Sequence, residues 1–428
     1  MSDSNSKVTR RGFMHGAGAL AAAALVGTSG KPATGQVRGA NDRIGVGFIG
    51  CGGRSGAHFQ AVHWLKTQGK EAVEIVAACD VYRPRLKHRV DGYGGKAYMD
   101  YRDLLADPGV DVVCISTPDH VHGYQAIDAV RAGKHVYCEK PVTHWRQFEL
   151  TKRLAEEVRQ SGRAFLLGSQ GMHDSAWRQI GKLIQDGLIG QPIHAECGYF
   201  RVGDWGERGM PIDDPNAQPG KDLNWQAFLG DAPARPFDVS RFFRWRMYED
   251  YAGGPVTDLF PHSFTPVCHI LGVTLPSMVV ATGGKFRYEE REVPDTFNML
   301  IDYPERLTVA VLGTQGNDYV DAARGAGGRM PVVRGWDGTL TIDRKTNRIE
   351  FIPTQGSNKQ RQYFDIEHGE DMVGYFRNLV AAHRQGRQET LSPIDLAYHV
   401  QAAMIMGIWA FREQTAARFD PAAQKIIL

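Results

Sequence analysis

The sequence predicts an α/β protein in two parts, a doubly wound parallel sheet followed by an α+β domain with an open, mostly antiparallel sheet. In the first part, short runs of β-forming residues alternate with amphipathic stretches, as is typical of a parallel sheet with helices on both faces. Between residues 277 and 352 the pattern changes to period-two runs broken by Gly, Pro and Asn, which indicates antiparallel strands. This change predicts domain limits of 42–168 and 169–428.

The first sheet begins with a strand, a glycine-rich loop, a helix and a second strand. Residues 43–51 lead into the loop Gly50-Cys-Gly-Gly-Arg-Ser-Gly56, and the strand Val73–Cys79 is followed by Asp80. Such a loop lets backbone N–H groups approach a pyrophosphate, and the acid can accept hydrogen bonds from the adenosine ribose. We predict a Rossmann dinucleotide site, with an ordinary tight turn as the alternative, that includes Gly50, Gly52, Gly53, Arg54 and Asp80.

The predicted site favours NAD as the cofactor, with NADP as the alternative. The charge of Asp80 would repel a 2′-phosphate, whereas Arg83 and Arg85 shortly after it can accommodate one. The glycine spacing is one residue longer than the usual fingerprint, so Ser55 or Gly56 takes the third position.

A second strand–helix–strand unit runs from Asp111 to Pro141. An apolar stripe at helical spacing separates two β-forming runs, 111–116 and 135–138, so the two strands are predicted to be parallel. Ligands of such sheets bind beyond the carboxyl ends of the strands. Two polar clusters stand at those ends, and we expect them to border the cofactor: Thr117, Pro118, His120 and His122 after the first strand, and Glu139 and Lys140 after the second. A metal site built by Asp119, His120 and His122 is the alternative.

The remaining elements complete the two domains. A short helix, a long amphipathic helix and a last strand are predicted in the first domain over residues 101–109, 145–160 and 164–168. The second domain has a long segment, 203–246, whose richness in Gly, Pro, Trp and Arg is typical of a functional loop. One helix is predicted over residues 256–271, although Pro261 and Pro266 lie inside it, and two further helices close the chain.

Two short motifs give the chain a family resemblance. Glu139-Lys140-Pro141 follows a Rossmann strand, and Asp258-x-x-x-His262 lies in the second domain. With the Rossmann half, these motifs resemble the glucose–fructose oxidoreductase / inositol dehydrogenase / MocA (Gfo/Idh/MocA) family over nearly the whole chain. The resemblance implies that Lys140 lies near the nicotinamide and the substrate hydroxyl, with Asp258 and His262 opposite and His262 as general acid/base. It also implies a homo-oligomer, formed through the open sheet of the second domain.

The same three side chains suit hydride transfer on chemical grounds. Removing a hydride from a carbinol carbon requires a group that takes the hydroxyl proton, and a neutral imidazole does this near pH 7. Asp258 and His262 are four residues apart on a predicted helix, so both face the same way. Lys140 would stabilise developing alkoxide charge, and the proline after it restricts its backbone to an extended form. A solvated lysine and a helix-surface pair are the alternatives.

The long segment also offers candidates for binding a sugar. An aromatic platform with hydrogen-bond donors is suggested by Trp205, Arg241, Arg244, Trp245 and Arg246. Of these we select Arg244 and Trp245, and we add Gln170, which follows the last Rossmann strand. A packed arginine-rich loop or a subunit contact would explain the same residues.

Composition narrows the class of partner. Lys plus Arg number 50 and Asp plus Glu 48 in 428 residues, and no basic block is interleaved with aromatic residues, so no nucleic-acid surface is expected. The six cysteines show no Cys-x-x-Cys or Cys/His zinc spacing, so neither a disulfide framework nor a structural metal site is indicated. We expect a small carbohydrate as the partner.

Residues 1–41 are predicted to be a targeting segment and linker. Lys7, Arg10 and Arg11 precede a mildly apolar run, residues 16–27, and together they resemble a twin-arginine export signal. The run is shorter than the about 20 apolar residues that a stable membrane anchor needs. We therefore expect export to the periplasm without such an anchor, with a basic frayed terminus as the alternative.

Three functions compete on these grounds. The first is an NAD(P)-dependent oxidoreductase acting on a hydroxyl or keto carbon of a sugar, cyclitol or glycoside. The second is a glycosidase that uses tightly bound NAD in a cycle of oxidation, elimination and reduction. An exported enzyme has no ready supply of fresh NAD, which favours a cycle that regenerates its own cofactor. The third, a non-catalytic nucleotide-binding protein, is disfavoured by the presence of Lys140 together with Asp258 and His262.

Overall fold

The computed structural model describes residues 43–203, 210–319 and 328–428. The predicted export segment and Trp205 lie outside the described residues.

The first part of the chain alternates strands and helices: β1 Ile44–Ile49, α1 Ser55–Thr67, β2 Val73–Cys79, α2 Arg83–Tyr93, β3 Lys96–Tyr98, α3 Tyr101–Ala106, β4 Val112–Ile115, α4 Asp119–Arg131, β5 His135–Glu139, α5 Phe148–Ser161 and β6 Phe165–Gly168. The strands form one parallel sheet in the order β3-β2-β1-β4-β5-β6. Every residue of β1, β4, β5 and β6 is buried, as expected where helices cover both faces. The doubly wound sheet is confirmed, and its order reverses between β1 and β4, where ligands of such sheets bind.

Two elements of the first domain, one helix and one strand, have only weak patterns in the sequence. α2 buries Leu86 alone, and β3 is a largely exposed edge strand of three residues. Neither therefore shows the hydrophobic periodicity from which the other elements are predicted.

The rest of the chain builds the α+β domain: α6 Ser175–Gln185, β7 Pro192–Val202, α7 Trp225–Leu229, α8 Val239–Phe243, α9 Pro255–Asp258, α10 Pro261–Leu271, β8 Met278–Gly284, β9 Thr296–Tyr303, β10 Leu307–Thr314, β11 Gly316–Asn317, β12 Gly328–Gly335, β13 Gly338–Asp343, β14 Arg348–Pro353, β15 Gln362–Phe364, α11 Met372–Arg384, α12 Ile394–Glu413, β16 Ala417–Asp420 and β17 Lys425–Ile427. Among the described residues the strands form one sheet in the order β15-β14-β13-β12-β7-β10-β9-β8-β16-β17, with β11 beside β7. β10 and β7 are parallel and the other pairs antiparallel, so the mostly antiparallel sheet is confirmed.

The single helix predicted over residues 256–271 is wrong in one respect. The chain forms two helices there, α9 and α10, separated by Leu259 and Phe260. Pro261 begins α10 because a proline has no N–H to donate and fits the first turn of a helix. Asp258 and His262 therefore lie on successive helices and not on one face of a single helix.

The last two helices pack against both sheets. α12 contacts α5, β6 and β8, and α11 contacts α1. The N–H of Leu167 donates to the Ser392 carbonyl at 2.9 Å, and Tyr375 Oη donates to the Leu167 carbonyl at 2.5 Å. Among the described residues α12 is the one helix long and apolar enough to cross a membrane, but most of it is buried inside the fold, as is usual for a core helix. The absence of a membrane anchor stays a prediction.

Candidate active site

A cavity of about 640 Å³ lies at the carboxyl ends of β1, β2 and β4. Its lining includes seven of the residues predicted to bind the cofactor: Gly50, Gly52, Gly53, Arg54, Asp80, Thr117 and Pro118. Residues between 224 and 231, with Trp245 and Arg246, line it from the second domain. The cavity thus occupies the crevice where the strand order reverses, the place predicted for a dinucleotide.

The glycine loop has the geometry of an anion-binding site. Gly50 has a φ of +93°, and a Cβ at this position would lie 2.7 Å from the backbone of Ser116, so glycine is required. A Cβ on Gly53 would meet nothing within 4 Å, which leaves this part of the loop accessible. α1 begins without a side-chain cap and without an acid in its first turn, so its N-terminal dipole is available to an anion. The loop and helix therefore fit the pyrophosphate of NAD.

Asp80 ties the glycine loop to the end of β2. Its carboxylate accepts hydrogen bonds from the N–H of Cys51 at 2.6 Å and of Tyr82 at 2.8 Å. Burial raises the pKa of Asp80, against the effect of these bonds and of the nearby Arg85. Because a carboxylate can accept about four hydrogen bonds, Asp80 keeps capacity for ribose hydroxyls.

Arg54 links the glycine loop to the ends of β5 and β6. Its Nε donates to Glu139 at 2.7 Å, and its Nη2 donates to Gln170 at 2.9 Å. Glu139 also contacts His58 at 3.0 Å and accepts from Tyr137 Oη at 2.9 Å. Burial would raise the pKa of Glu139, but the charge of Arg54, the contact with His58 and the charge of Lys140 together hold the pKa well below its usual range. Gln170, predicted to bind substrate, is thus a partner of Arg54.

Lys140, Asp258 and Arg246 form a buried charged cluster. Lys140 Nζ lies 3.1 Å from Asp258 Oδ1 and also donates to the Asp258 carbonyl, and Arg246 Nε donates to the same carboxylate at 3.0 Å. The side chain of Lys140 is 8% exposed and that of Asp258 13%. Burial would raise the pKa of Asp258, yet the charges of Lys140 and Arg246 hold it far below its usual range. Since Arg246 also lines the cavity, the cluster borders the cofactor site.

His262, the third predicted catalytic residue, lies in the first turn of α10. Its imidazole is half-buried, and its ring centroid is 6.1 Å from that of Tyr199 on β7. Burial, followed by the positive charges of Lys140 and Arg54, lowers the pKa of His262 to about 3. The ring is therefore neutral at pH 7 and has a nitrogen that can accept a proton, but with this pKa it is a weak base.

Asp119 lies near the charged cluster and Tyr199 near His262, and the sequence reveals neither position. Asp119 is 4% exposed at the start of α4, and burial raises its pKa to about 7 against the charges of Arg246 and Lys140. A polar residue directly after a parallel strand can indicate a binding site, but because His120 stands next to Asp119, the sequence suggests a metal ligand instead. Tyr199 belongs to a long period-two strand, in which nothing distinguishes it from its neighbours.

His120 and His122 stand behind the cavity wall and do not line it. His122 places Nδ1 2.6 Å from the Pro141 carbonyl and Nε2 2.7 Å from the Thr117 carbonyl, so it joins the loops that follow β4 and β5. His120 Nε2 contacts the Phe228 carbonyl at 2.7 Å. Both histidines therefore position backbone. No group of three or more His, Cys, Asp or Glu side chains in the described parts of the chain could hold a metal ion.

The predicted sugar platform reaches the site only in part. Trp245 lines the cavity, as does Arg246, which bonds to Asp258. Arg244, the arginine selected from the sequence, instead donates from Nε to the Met210 carbonyl at 3.0 Å and does not line the cavity. The two arginines face different ways because Trp245–Met247 form a short 3₁₀ turn, whose orientation the sequence does not specify. A role of Arg244 in substrate binding stays a prediction.

Residues 210–252, named here the covering segment, contribute to the cavity lining and bond to the chain just after Asp80. The N–H of Asn224 donates to the Val81 carbonyl at 2.9 Å, and the N–H of Arg83 donates to the Asp222 carbonyl at 2.8 Å. Its apolar side chains form a separate core that includes Tyr82 of the first domain. The two domains are thus joined directly over the cofactor site.

The fold and the cavity define a Rossmann protein with an NAD site and an attached α+β domain. Comparison with protein families agrees. A model described as "Oxidoreductase family, NAD-binding Rossmann fold" matches residues 44–169, and one described as "Oxidoreductase family, C-terminal alpha/beta domain" matches residues 173–323. Together they span more than half of the sequence, and the chain belongs to the Gfo/Idh/MocA oxidoreductase family. The predicted family and its NAD cofactor are confirmed.

Curated relatives include dehydrogenases and glycosidase-family proteins. The chain is 30% identical over 161 residues to an inositol 2-dehydrogenase of Salmonella typhimurium, covering 37% of this chain and 45% of the relative. It is 25% identical over 224 residues to a glycosyl hydrolase family 109 protein of Shewanella baltica, covering 46% of this chain and 47% of the relative. The chain thus matches less than half of the length of these relatives.

Solved structures with the same fold include two sugar dehydrogenases. A levoglucosan dehydrogenase in complex with NADH and levoglucosan superposes with a TM-score of 0.67 and 18% identity over 88% of this chain and 99% of that one. The WlbA dehydrogenase of Bordetella pertussis, in complex with NADH and UDP-GlcNAcA, gives 0.64 and 18% over 88% and 99%. At such identities the likeness establishes the fold.

Proposed function

We propose that the protein is an NAD-dependent oxidoreductase that transfers hydride between the nicotinamide and a hydroxyl or keto carbon of a sugar, cyclitol or glycoside. The observation that carries this proposal is the Lys140–Asp258 pair, held next to the cofactor cavity with a neutral His262 close to it. Burying several ionisable groups together is costly, which argues against a protein that merely binds a nucleotide.

The three side chains have distinct roles in this proposal. NAD, when bound, accepts the hydride. His262 takes the hydroxyl proton, and Lys140 donates a hydrogen bond to the same oxygen as negative charge develops there. Burial and the charge of Lys140 lower the pKa of His262, and that charge would also lower the pKa of the substrate hydroxyl, which matches a weak base to an activated hydroxyl. Asp258 holds the ammonium group in place, with Arg246 on its other side.

The polarity of the site suits a ring that carries several hydroxyl groups. Lys140 and Arg246 offer donors, and Asp258 and Asp119 offer acceptors, within one buried cluster. A site built from such groups selects for substrate hydroxyls, because a ligand without them leaves buried polar atoms unpaired. Relatives named for inositol and levoglucosan support the same substrate class.

Nucleotide content and a substrate panel test the proposal. Mass spectrometry of nucleotide released from the purified protein should find NAD, and a panel of inositols, anhydrosugars, hexoses and glycosides should include one that reduces it. Lys140→Ala should lower kcat by about 10²–10³-fold, because it removes the donor to the developing alkoxide. Lys182→Ala, in which a 74% exposed lysine on α6 is replaced, is the matched control and should leave kcat unchanged.

Two results would overturn the proposal. One is a wild-type protein that neither contains nor binds NAD or NADP. The other is a Lys140→Ala variant with the kcat of the wild type, since the assigned role requires the hydrogen bond from Lys140 to the developing alkoxide.

The covering segment supports a second candidate, a glycosidase that keeps NAD bound through a cycle of oxidation, elimination and reduction. Backbone bonds from Asn224 and Arg83 join the two domains beside the cofactor cavity, and such closure slows exchange of a bound nucleotide. In the cycle, the hydride taken from a ring carbon returns to that carbon, and water replaces the aglycone. The match to a glycosyl hydrolase family 109 protein supports this alternative. Release of nitrophenol from p-nitrophenyl glycosides without added nucleotide would select it over a simple dehydrogenase.

We further propose that the protein is exported by the twin-arginine route and works as a homo-oligomer. Arg10 and Arg11 support export, and replacing both by lysine should keep the protein in the cytoplasm. Val280 and Leu300 are neighbours across β8 and β9 and are both exposed, which supports a subunit contact on the open sheet. Light scattering after size-exclusion chromatography should give the mass of more than one chain, and a monomer would contradict the contact.

A further inference from the structure

An arginine of the first domain stands where the adenosine ribose would bind. Arg85, in the first turn of α2, lines the cavity together with Asp80. A Cβ on Gly52 would lie 3.4 Å from Arg85 Nη1, so the guanidinium is also close to the glycine loop. An arginine at this place in a Rossmann site can accommodate the 2′-phosphate of NADP.

Arg85 is already paired, because Asp213 of the covering segment holds it through two bonds. Nε donates to Asp213 Oδ2 at 2.6 Å and Nη2 donates to Oδ1 at 3.1 Å. Such bidentate pairs fix orientation as well as charge. The guanidinium carbon lies 5.1 Å from the ring centroid of Phe243, and the two paired side chains are only 20% and 31% exposed.

The neighbouring arginines of α2 have other partners. Arg83 donates to Asp222 at 2.9 Å, but this pair is about half exposed and neither residue lines the cavity. Arg89 donates to the Gly52 carbonyl at 3.0 Å, which fixes the glycine loop from behind. Of these three arginines, Arg85 is therefore the one that both pairs with the covering segment and borders the ribose position.

We propose that Asp213 is a specificity-determining residue that makes this protein select NAD over NADP. A 2′-phosphate carries a charge of about −1.5 to −2, and the guanidinium that could offset it is neutralised by Asp213. The carboxylate of Asp213, 2.6 Å from that guanidinium, would also repel the phosphate. The proposal rests on the proposed NAD-dependent function, and it assigns cofactor choice partly to the second domain.

Competition between the two nucleotides tests this assignment. Wild-type and variant proteins are incubated with an equimolar mixture of NAD and NADP until exchange is complete, and native mass spectrometry gives the ratio retained. Asp213→Asn should raise the ratio of NADP to NAD by about tenfold or more, because a freed guanidinium can form a charge-assisted bond with the phosphate. Asp213→Ser, with a shorter side chain, should shift the ratio in the same direction.

Two controls isolate the cause. Asp222→Asn makes the same chemical change in the same segment, but at the exposed pair, and should leave the ratio unchanged. The double variant Arg85→Ala/Asp213→Asn should lose the gain, because the gain depends on the guanidinium of Arg85. An unchanged ratio in both Asp213 variants, or a gain that survives in the double variant, would overturn this inference alone. Failure of the wild type to retain either nucleotide would overturn the proposed function and this inference with it.

Discussion

Replacing Asp119 by asparagine should change how the stability of the nucleotide-free protein depends on pH. Burial raises the pKa of Asp119 to about 7 in the folded protein, whereas an aspartate in the unfolded chain titrates near about 3.9. The folded state therefore holds the proton more tightly. The stability that this provides is fully present below about pH 4 and is lost as the pH rises to about 7. Asparagine does not titrate, so the variant lacks this loss.

The magnitude follows from the two pKa values. A difference of about three units is worth roughly 4 kcal/mol at 1.36 kcal/mol per unit, and about two of these units, or roughly 3 kcal/mol, fall between pH 5 and pH 8. No discount for solvent is needed, because the side chain is almost fully buried. For a chain of 428 residues, an unfolding entropy of about 2 cal/mol/K per residue makes 3 kcal/mol equivalent to roughly 3 °C in Tm.

Thermal unfolding at pH 5 and pH 8 measures this effect. The quantity is the Tm of Asp119→Asn minus the Tm of the wild type, and it should rise by roughly 3 °C between the two pH values. Asp91→Asn, which replaces a 61% exposed acid on α2, is the control and should give the same difference at both. If the difference for Asp119→Asn is also the same at both pH values, Asp119 does not titrate near neutrality and the reasoning fails.

Three further substitutions probe the site. Gly50→Ala should lower Tm and weaken NAD binding at least about tenfold in a titration. The reason is that a left-handed φ costs alanine about 1–2 kcal/mol and that its Cβ would meet the backbone of Ser116. Wild-type affinity would contradict the geometry of the loop. Arg54→Ala should lower the free energy of unfolding by roughly 1.5–3 kcal/mol, since buried Glu139 loses a charged partner, and an unchanged Tm would count against that role. His262→Asn should lower kcat by about 10²–10⁴-fold with normal nucleotide content, and wild-type turnover would remove His262 as the base.

The sheet that binds the cofactor can be predicted from sequence because most of its strands are buried on both faces. β2 is predicted over Val73–Cys79 and forms over the same residues, since a run of β-forming side chains ends at the polar Asp80. The glycine loop can be predicted equally well, because the φ of Gly50 and its close contact with Ser116 require glycine at this position.

The structure of the covering segment could not be predicted, because its order comes from contacts with residues that are distant in the sequence. Its helices α7 and α8 have five residues each, too few to show a period of 3.6. Its core closes around Tyr82, which lies in the other domain. For the same reason the sequence does not distinguish Arg246, which reaches Asp258, from Arg244, which stays inside the segment.

The residues that we propose to be catalytic are intermediate between these two cases. The motif identifies Lys140, Asp258 and His262, and the structure brings Lys140 and Asp258 within 3.1 Å. The helix break at Pro261 changes how the last two are related, because they are placed by separate helices. Sequence spacing alone therefore identifies the side chains but not their orientations.

The edge of the parallel sheet at β6 has a consequence for how the protein is made. The N–H and carbonyl of Leu167 are paired with Ser392 and Tyr375, and the carbonyl of Phe165 accepts from Thr390 at 2.6 Å. These partners lie more than 200 residues further along the chain, so they leave the ribosome well after β6. A nascent chain that already contains all six Rossmann strands still has an unpaired strand edge, which is prone to pair with other chains. The first domain is thus completed by residues that are translated long after its own strands.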